Sequence, residues 1–490
     1  MMNNKIPEIG LWEMFEVTLE GPKRGNPFLE VELKAIFTHE SGETLEIEGF
    51  YNDNGIYKIR FMPVKKGHWR YVTESNVEEL DGQKGEFICV DLSPGNHGPV
   101  RVHNKYHFAY ADGTPYIPFG TTLYAWIYQS PTLIKQTLDT LRKSPFNKVR
   151  MCIFPKYYAY NREEPVMYPF KGSISEGFDF TWFNVSFFEH LERQIENLMK
   201  MGIEADLILF HPYDRWGFSN MGFENDIRYL RYVVARLSAY RNVWWSLANE
   251  YDFLESKTLE DWDRYFQLIQ EKDPYNHLRS IHCGITFYDY SKPWVTHASI
   301  QWQGSLRSWG GDNWGEKKVL EWRRRYGKPI IVDECGYEGD IEFGWGNLTS
   351  QEMVNRIWEG VTTGGYVTHG ETYYREDEVL WWSKGGRLHG QSPERIAFLK
   401  KIIEEAPDYL EPIHVDWDVS CIGKEKDYYL IYFDVNRPRF RKLTLPEEGS
   451  YRIEVIDAWN MTVDVVGTFR GECKIELPGR SYMALRITRV

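Results

Sequence analysis

The feature that most constrains this chain is an alternation of apolar strand patterns with amphipathic helical stretches that runs from Tyr116 to about Pro407. The strand candidates are Tyr116 to Tyr124, Lys148 to Phe154, Glu204 to Phe210, Val243 to Asn249, Arg279 to Cys283, Val295 to Gln301, Pro329 to Glu334 and Gly365 to His369. Between them apolar residues recur at helical spacing, as in Phe187, Leu191, Ile195 and Leu198 before Gly202, and Ile227, Leu230, Val234 and Leu237 in the next helix. Repeated strand-helix units demand parallel strands covered by helices. Eight of them imply a (β/α)8 TIM barrel rather than an open sheet.

The flanks read differently. Between Trp12 and about Asp91 the runs Phe28 to Phe37, Ile56 to Phe61 and His68 to Val72 have strand character, and Asn52-Asp53-Asn54-Gly55 supplies turn chemistry. Beyond Pro407 the helical period disappears, and Tyr428 to Phe433, Tyr451 to Val455 and Met483 to Ile487 read as strands. The expectation is an α/β chain: an N-terminal β-sandwich over 1–97, the barrel over 98–409 and a C-terminal β-sandwich over 410–490. The turn-rich Ser93-Pro94-Gly95-Asn96-His97-Gly98-Pro99 marks the first junction.

Loop lengths give the barrel a polarity. Helix-to-strand connections are terse, as in Ser144-Pro145-Phe146-Asn147, whereas Pro155 to Phe183, Trp302 to Gly315 and Glu371 to Gly390 are long and aromatic. Function on this fold sits at the carboxyl ends of the strands, where these long loops begin. Two acids emerge at that end: Asn249-Glu250 closes the fourth strand pattern and Asp333-Glu334 the seventh. Two carboxylates from different strands are what a retaining glycosidase needs, one protonating the leaving oxygen and one attacking the anomeric carbon, about 5 to 5.5 Å apart.

Glu250, at the rim of an apolar strand beside a second carboxylate, carries both influences that raise a carboxyl pKa and reads as the acid/base. Glu334, as nucleophile, has to stay ionised, and Arg150 near the end of strand two is the candidate donor. Asp333 takes a structural hydrogen bond, because alternation sends neighbouring side chains to opposite faces. Asn249 is placed against the sugar hydroxyl next to the reacting carbon. Gln301, Trp302, Tyr337, His369 and Glu371, which follow strands six, seven and eight, complete the expected sugar-binding set with His211 after strand three. Of the tryptophans that follow strands, Trp126, Trp182, Trp216, Trp302, Trp309, Trp314, Trp345, Trp381 and Trp382, roughly a third are expected to offer a ring face to sugar.

The pair Asn249-Glu250 and Glu334 resembles the signature of clan A of the glycoside hydrolases, with Asn-Glu ending strand four and Glu ending strand seven. With the two sandwiches, Phe108-Ala109-Tyr110-Ala111-Asp112-Gly113-Thr114-Pro115-Tyr116 and Phe119-Gly120-Thr121-Thr122, the whole chain resembles the apiosidase-like family, also described as endoglucanase-like and often labelled collagen-binding. The resemblance implies that Arg150 stands beside the nucleophile, that His211 binds substrate, and that His297 or Gln301 orients the nucleophile. The strand-eight tryptophan common in the clan is replaced here by the region of His369. The sugar stays open among glucoside, galactoside, xyloside, apioside and arabinofuranoside.

A net charge of -13 without a block of like charge argues against nucleic acid or an anionic membrane as partner, and no stretch approaches the roughly 18 apolar residues of a membrane span. The start lacks an apolar signal core, so a cytoplasmic location is expected, with small imported glycosides and exo-action. Cys89, Cys152, Cys283, Cys335, Cys421 and Cys473 form no metal or redox spacing and read as buried free thiols. No cofactor and no metal are expected: strand one ends Gly120-Thr121-Thr122 without the His-x-His pair of barrel metallohydrolases. Two rivals are a non-catalytic carbohydrate-binding protein, for which one glutamate is dispensable, and a metal-dependent hydrolase. A homo-oligomer and the role of the sandwiches are left open.

Overall fold

A computed structural model of the chain describes residues 6–306 and 317–490. Its centre is a set of parallel strands: β1 (Gly120–Thr122), β2 (Lys148–Cys152), β3 (Glu204–Phe210), β4 (Val243–Ala248), β5 (Arg279–Ser280), β6 (Ala298–Gln301), β7 (Ile330–Glu334) and β8 (Tyr366–Val367). Strands β1 to β5 pair in sequence order, and so do β6 to β8. Single parallel bridges occur at both seams, His282 to Ser299 and Thr121 to His369.

The covering helices are α1 (Pro131–Leu141), α2 (Val185–Met199), α3 (Phe223–Leu237), α4 (Leu259–Lys272), α5 (Lys318–Tyr326), α6 (Ser350–Thr362) and α7 (Ser392–Glu404). Strand β3 is buried along its whole length, so beyond Glu204 and Asp206 it reads as an apolar run rather than an alternation. Helix α2 turns Phe187, Leu191, Ile195 and Leu198 inward, the stripe its sequence spacing predicts. Helix α4 starts at a capping box in which Thr258 and Asp261 satisfy each other's backbone N–H. One expected unit is incomplete: between β5 and β6 the chain crosses without a helix, burying Tyr288, Tyr290 and Val295 instead.

The amino end of the parallel strands is plugged. A small antiparallel sheet of Val100–His103, His107–Tyr110 and Pro115–Tyr116 places Phe108 and Tyr116 against Trp244, Ile331 and Tyr366. Phe108 lies 5.5 Å from both the Trp244 and the Tyr366 ring.

The N-terminal region packs a five-stranded sheet on a three-stranded one, with Phe37 and Phe61, one from each, stacked at 4.1 Å. Within it the strand expected over Phe28 to Phe37 begins only at Leu33. Pro27–Glu30 is a helical turn whose cap Asn26 accepts from the Phe28 N–H, a cap-then-proline signal that the apolar run overshadowed. At the C-terminus a six-stranded sheet and a two-stranded ribbon enclose Phe433, Tyr451, Ile453 and Leu485.

Both flanks are bonded to the helices. Buried Glu192 of α2 pairs with Arg60 of the N-terminal region at 2.8 Å and with Arg236 of α3 at 2.6 Å. Tyr432 of the C-terminal sheet stacks on Trp358 of α6 at 5.2 Å and donates to Asn355 at 2.8 Å. All six cysteines are free thiols, five buried and Cys473 half-buried. Among the described residues no helix is long and apolar enough to cross a membrane. Phe108→Ala removes the plug's central ring and should lower unfolding stability by about 3 to 5 kcal/mol, read from urea midpoints.

Candidate active site

Strand β4 ends in a backbone irregularity that brings two neighbouring side chains to one place. Glu250 has φ 49° and ψ 56°, the left-handed conformation that costs a non-glycine residue about 1 to 3 kcal/mol and persists where surroundings enforce it. As a result Asn249 Nδ2 donates to Glu250 Oε2 at 2.9 Å. The amide oxygen of Asn249 accepts from Arg150 Nη1 at 3.0 Å, and the Tyr124 hydroxyl stands 3.0 Å from it.

Strand β7 delivers Glu334 to the same group. The Tyr124 hydroxyl donates to Glu334 Oε1, Arg150 Nη1 stands 3.4 Å from that oxygen, and the Tyr337 hydroxyl is 3.4 Å from that of Tyr124. The two carboxylates are thus linked indirectly: Arg150 and Tyr124 contact both Glu334 and the Asn249 amide oxygen, and the amide nitrogen donates to Glu250. On the far side the Tyr213 hydroxyl donates to Glu250 Oε2.

Neighbours Asp333 and Glu334 were expected on opposite faces, and they are not. Asp333 takes Lys148 at 2.8 Å and Glu334 meets Arg150, two residues apart on one face of β2. The register of β6 on β7 slips where Gln301 pairs with Glu334, and this bulge turns the second acid inward. Asp333 does have the structural role assigned to it, accepting also from Ser299 at 2.6 Å and Thr368 at 2.8 Å. Against the burial that would raise it, Lys148 and Arg150 hold its carboxyl well below the usual range.

Glu334 behaves oppositely. Burial first, and then the negative charge of Glu250, push its carboxyl up to about 7, against Arg150, the Tyr124 hydrogen bond and Lys156. A carboxylate kept ionised by its donors was expected there. One cation at 3.4 Å and one phenol do not offset the loss of water around a group this enclosed.

The remaining expected residues divide. Tyr337 is buried beside Tyr124 and belongs to the group. His211 is buried with Nε2 3.2 Å from the Phe154 carbonyl, and burial followed by the charge of Lys156 lowers it to about 4. It has no hydrogen bond to either carboxylate among the described residues. Gln301 and Trp302 flank the end of β7, where the Trp302 N–H donates to the Glu334 carbonyl at 2.8 Å. The Trp302 ring is held edge-on to Trp322 of α5 at 5.7 Å.

His369 and Glu371 are corrections. The His369 ring stacks on Phe146 at 4.7 Å and its Nδ1 lies 3.0 Å from the Thr121 hydroxyl, away from the acids. Glu371 accepts from the backbone N–H of His389 at 2.6 Å and Gly390 at 2.9 Å. Strand β8 is only two residues long, so alternation could not be carried past it to either side chain. His297 is a third correction: it packs on Trp244 and Phe108 at the plugged end, and Tyr124 and Arg150 hold the Glu334 carboxylate instead.

Of the tryptophans, Trp345 and Trp382 stand beside the group, with ring centres 5.1 Å apart, and Tyr158 lies 6.1 Å from Trp382. Trp126, Trp216 and Trp381 are core, and Trp182 packs on Phe28. Trp309 and Trp314 lie outside the described residues. Tyr124, Tyr213 and Lys156 were not singled out from the sequence. The available signal was position: Tyr124 ends the first strand pattern, and Tyr213 and Lys156 each sit just past a strand's carboxyl end.

Glu338, His369 and Glu371 have ligand atoms within 4.8 Å of one another, the geometry of a metal cluster. Glu338 already accepts from the hydroxyls of Ser350, Tyr373 and Ser392 and the N–H of Gln391, and Glu371 from two more backbone N–H groups. The cluster is a hydrogen-bonded tie between the loops that follow β7 and β8.

Residues 102–414 match the family described as apiosidase-like, catalytic domain. Residues 8–76 and 417–488 match two families described only as domains of unknown function. A solved structure from Bacteroides vulgatus ATCC 8482, assigned as a candidate glycoside hydrolase, is 40% identical over 99% of this chain and 100% of its own, with a TM-score of 0.93. A glycoside hydrolase family 5 structure from the same organism is 16% identical over 81% of this chain and 93% of its own, with a TM-score of 0.62, a likeness of fold. No curated protein shows a significant match to the chain.

A carboxyl raised to about 7 costs the folded state stability as pH climbs from the unfolded value near 4.3 through 7, because there the native protein holds the extra proton. Glu334→Gln should therefore raise the melting temperature by a few degrees at about pH 8, with the gain vanishing below about pH 4.3. Calorimetry of the two proteins across that range checks it.

Proposed function

Because the chain belongs to the apiosidase-like catalytic domain family and is a glycosidase, we propose that it cleaves the O-glycosidic bond of small glycosides or oligosaccharides with retention of configuration. In this reading 98–409 is a closed (β/α)8 barrel between two β-sandwiches, 1–97 and 410–490. Glu250 is the acid/base and Glu334 the nucleophile. The observation that carries the reading is the hydrogen-bond chain Glu250, Asn249, Tyr124 and Arg150, Glu334, which joins the acids of strands four and seven. A non-catalytic sugar-binding protein has no need for two buried acids linked in this way.

The steps follow from the contacts. Glu334 attacks the anomeric carbon while Glu250 gives its proton to the departing oxygen; Glu250 then takes a proton from water, which releases the sugar from Glu334. Arg150 Nη1 and the Tyr124 hydroxyl donate to the Glu334 oxygen that regains its charge in that last step. Asn249 spends one amide N–H on Glu250 and keeps the second for the sugar hydroxyl beside the reacting carbon. Trp345, Trp382 and Tyr158 offer ring faces on one side, and exo-action fits such a one-sided aromatic wall.

A panel of nitrophenyl glycosides should show hydrolysis that falls on the order of 10⁴-fold in Glu334→Ala with the fold intact. Proton NMR of the first product should show retained configuration. On a β-linked substrate, azide should rescue Glu250→Ala as a β-glycosyl azide, and a fluorosugar should label Glu334. An inverted first product rejects the double displacement, and a label on Glu250 exchanges the roles.

The pH profile tests the roles independently. If Glu334 has to lose its proton to attack, kcat/KM rises with pH through about 7. A fall through the same value would make Glu334 the acid instead.

A further inference from the structure

Lys156, just beyond β2, is buried, and among the described residues its ammonium makes no hydrogen bond and no ion pair. Its company is aromatic: Nζ lies 3.7 Å from the ring centre of Tyr124, 4.3 Å from Tyr213, 5.1 Å from Trp382 and 5.5 Å from Tyr158. The two nearest rings belong to the tyrosines whose hydroxyls donate to the acids, Tyr124 to Glu334 and Tyr213 to Glu250. A methionine or leucine would fill the same space without the cost of a desolvated charge.

We propose that Lys156 is a positioning residue that sets the protonation of the acid pair through its two tyrosines. A cation on the face of a phenol draws electron density from the ring and makes its hydroxyl a stronger donor. Placed on Tyr124 and Tyr213 together, one ammonium strengthens the hydrogen bonds to both carboxylates and adds its own attraction to the ionised forms. Aromatic faces supply part of its lost hydration without neutralising it, so its field stays available to the pair. A lysine bonded directly to either glutamate would engage that one and leave the other.

The inference rests on the reading of Glu250 and Glu334 as the working acids. The charged and titratable groups that face Glu334 are Glu250, Arg150, Lys156, Tyr124 and Tyr337, with Tyr158, Tyr213, Cys152 and Cys335 further out. Those that act on Lys156 from its other sides are Cys152 and Arg150 of β2, with His211 and His282 facing it from the ends of β3 and β5. Burial lowers the lysine's own pKa, with Glu250 and Glu334 opposing that effect. Of these neighbours only Lys156 lies over both donor tyrosines.

Lys156→Met keeps the stem and removes the charge; Lys156→Arg keeps the charge. In Lys156→Met the ionisation of Glu334 should move up by about half to one pH unit, and Lys156→Arg should recover most of it. Two readouts report it: the acid limb of kcat/KM, and the pH dependence of the melting-temperature difference between each protein and its Glu334→Gln partner. On the acid side a half-unit shift is about a threefold loss of rate. In a Tyr124→Phe background the effect of Lys156→Met should shrink, because one of its two routes is gone.

A Lys156→Met protein that folds and titrates as wild type on both readouts overturns the proposal. The melting-temperature titration needs no substrate. If it moves while wild type hydrolyses no glycoside, the assignment of function fails and the role of Lys156 on the pair stands.

Discussion

Two buried cations on one face of strand β2, Lys148 and Arg150, fix the interior on which the rest of the molecule depends. Lys148 reaches Asp206 of β3 at 2.7 Å and Asp333 of β7 at 2.8 Å. Two residues further on, Arg150 reaches Glu334 of β7 and the Asn249 amide after β4. An unpaired buried cation costs several kcal/mol, so these partners set the register of β2 against its neighbour β3 and against β7, a strand it does not pair with. A slip by one residue would turn both cations toward the helices and leave two aspartates uncompensated. The lower pair holds the strands in place, and the upper one orients the reacting groups.

That arrangement also shows why the two acids that end β7 differ so far in proton affinity. Asp333 receives an ammonium and two hydroxyls at ordinary hydrogen-bond distances and stays ionised. Glu334 receives one phenol and a guanidinium at 3.4 Å that is shared with Asn249 and Tyr124. Burial then decides the outcome for Glu334, and pairing decides it for Asp333. The sharing is what links Glu334 to Glu250, since Arg150 and Tyr124 each contact both Glu334 and the Asn249 amide that donates to Glu250.

Much of this was legible in the sequence, for a physical reason in each case. Strands buried on both faces leave apolar runs, so β4, β7 and the later part of β3 were located closely, and the dipeptides that end β4 and β7 followed. Short strands carry little pattern: β5 and β8 are two residues each, and at β8 the placement of His369 and Glu371 failed. Backbone irregularities defeat periodicity altogether. The left-handed turn at Glu250 and the bulge opposite Glu334 both bring to the site a side chain whose neighbour also points there. Loop residues such as Lys156 and Tyr213 have no period to read, and only three-dimensional proximity to the acids gives them a role.

The costs at this site share a direction. A non-glycine residue in left-handed backbone, a carboxyl that resists ionisation and an ammonium without an anion bonded to it each destabilise the fold. They occur within one hydrogen-bonded group at the carboxyl ends of the strands, while the opposite end is plugged by Phe108 and Tyr116 and the flanks are fastened through Glu192 and Tyr432. Each strained feature bears on the same place, the Glu334 carboxyl and the hydrogen-bonded link from it to Glu250. The turn at Glu250 accompanies the contact of its carboxylate with the Asn249 amide, burial sets how reluctantly Glu334 gives up its proton, and the caged lysine and Arg150 limit that reluctance. Relaxing any one of them for stability's sake would shift the ionisation of Glu334, so the well-packed remainder of the fold is what lets the strain persist.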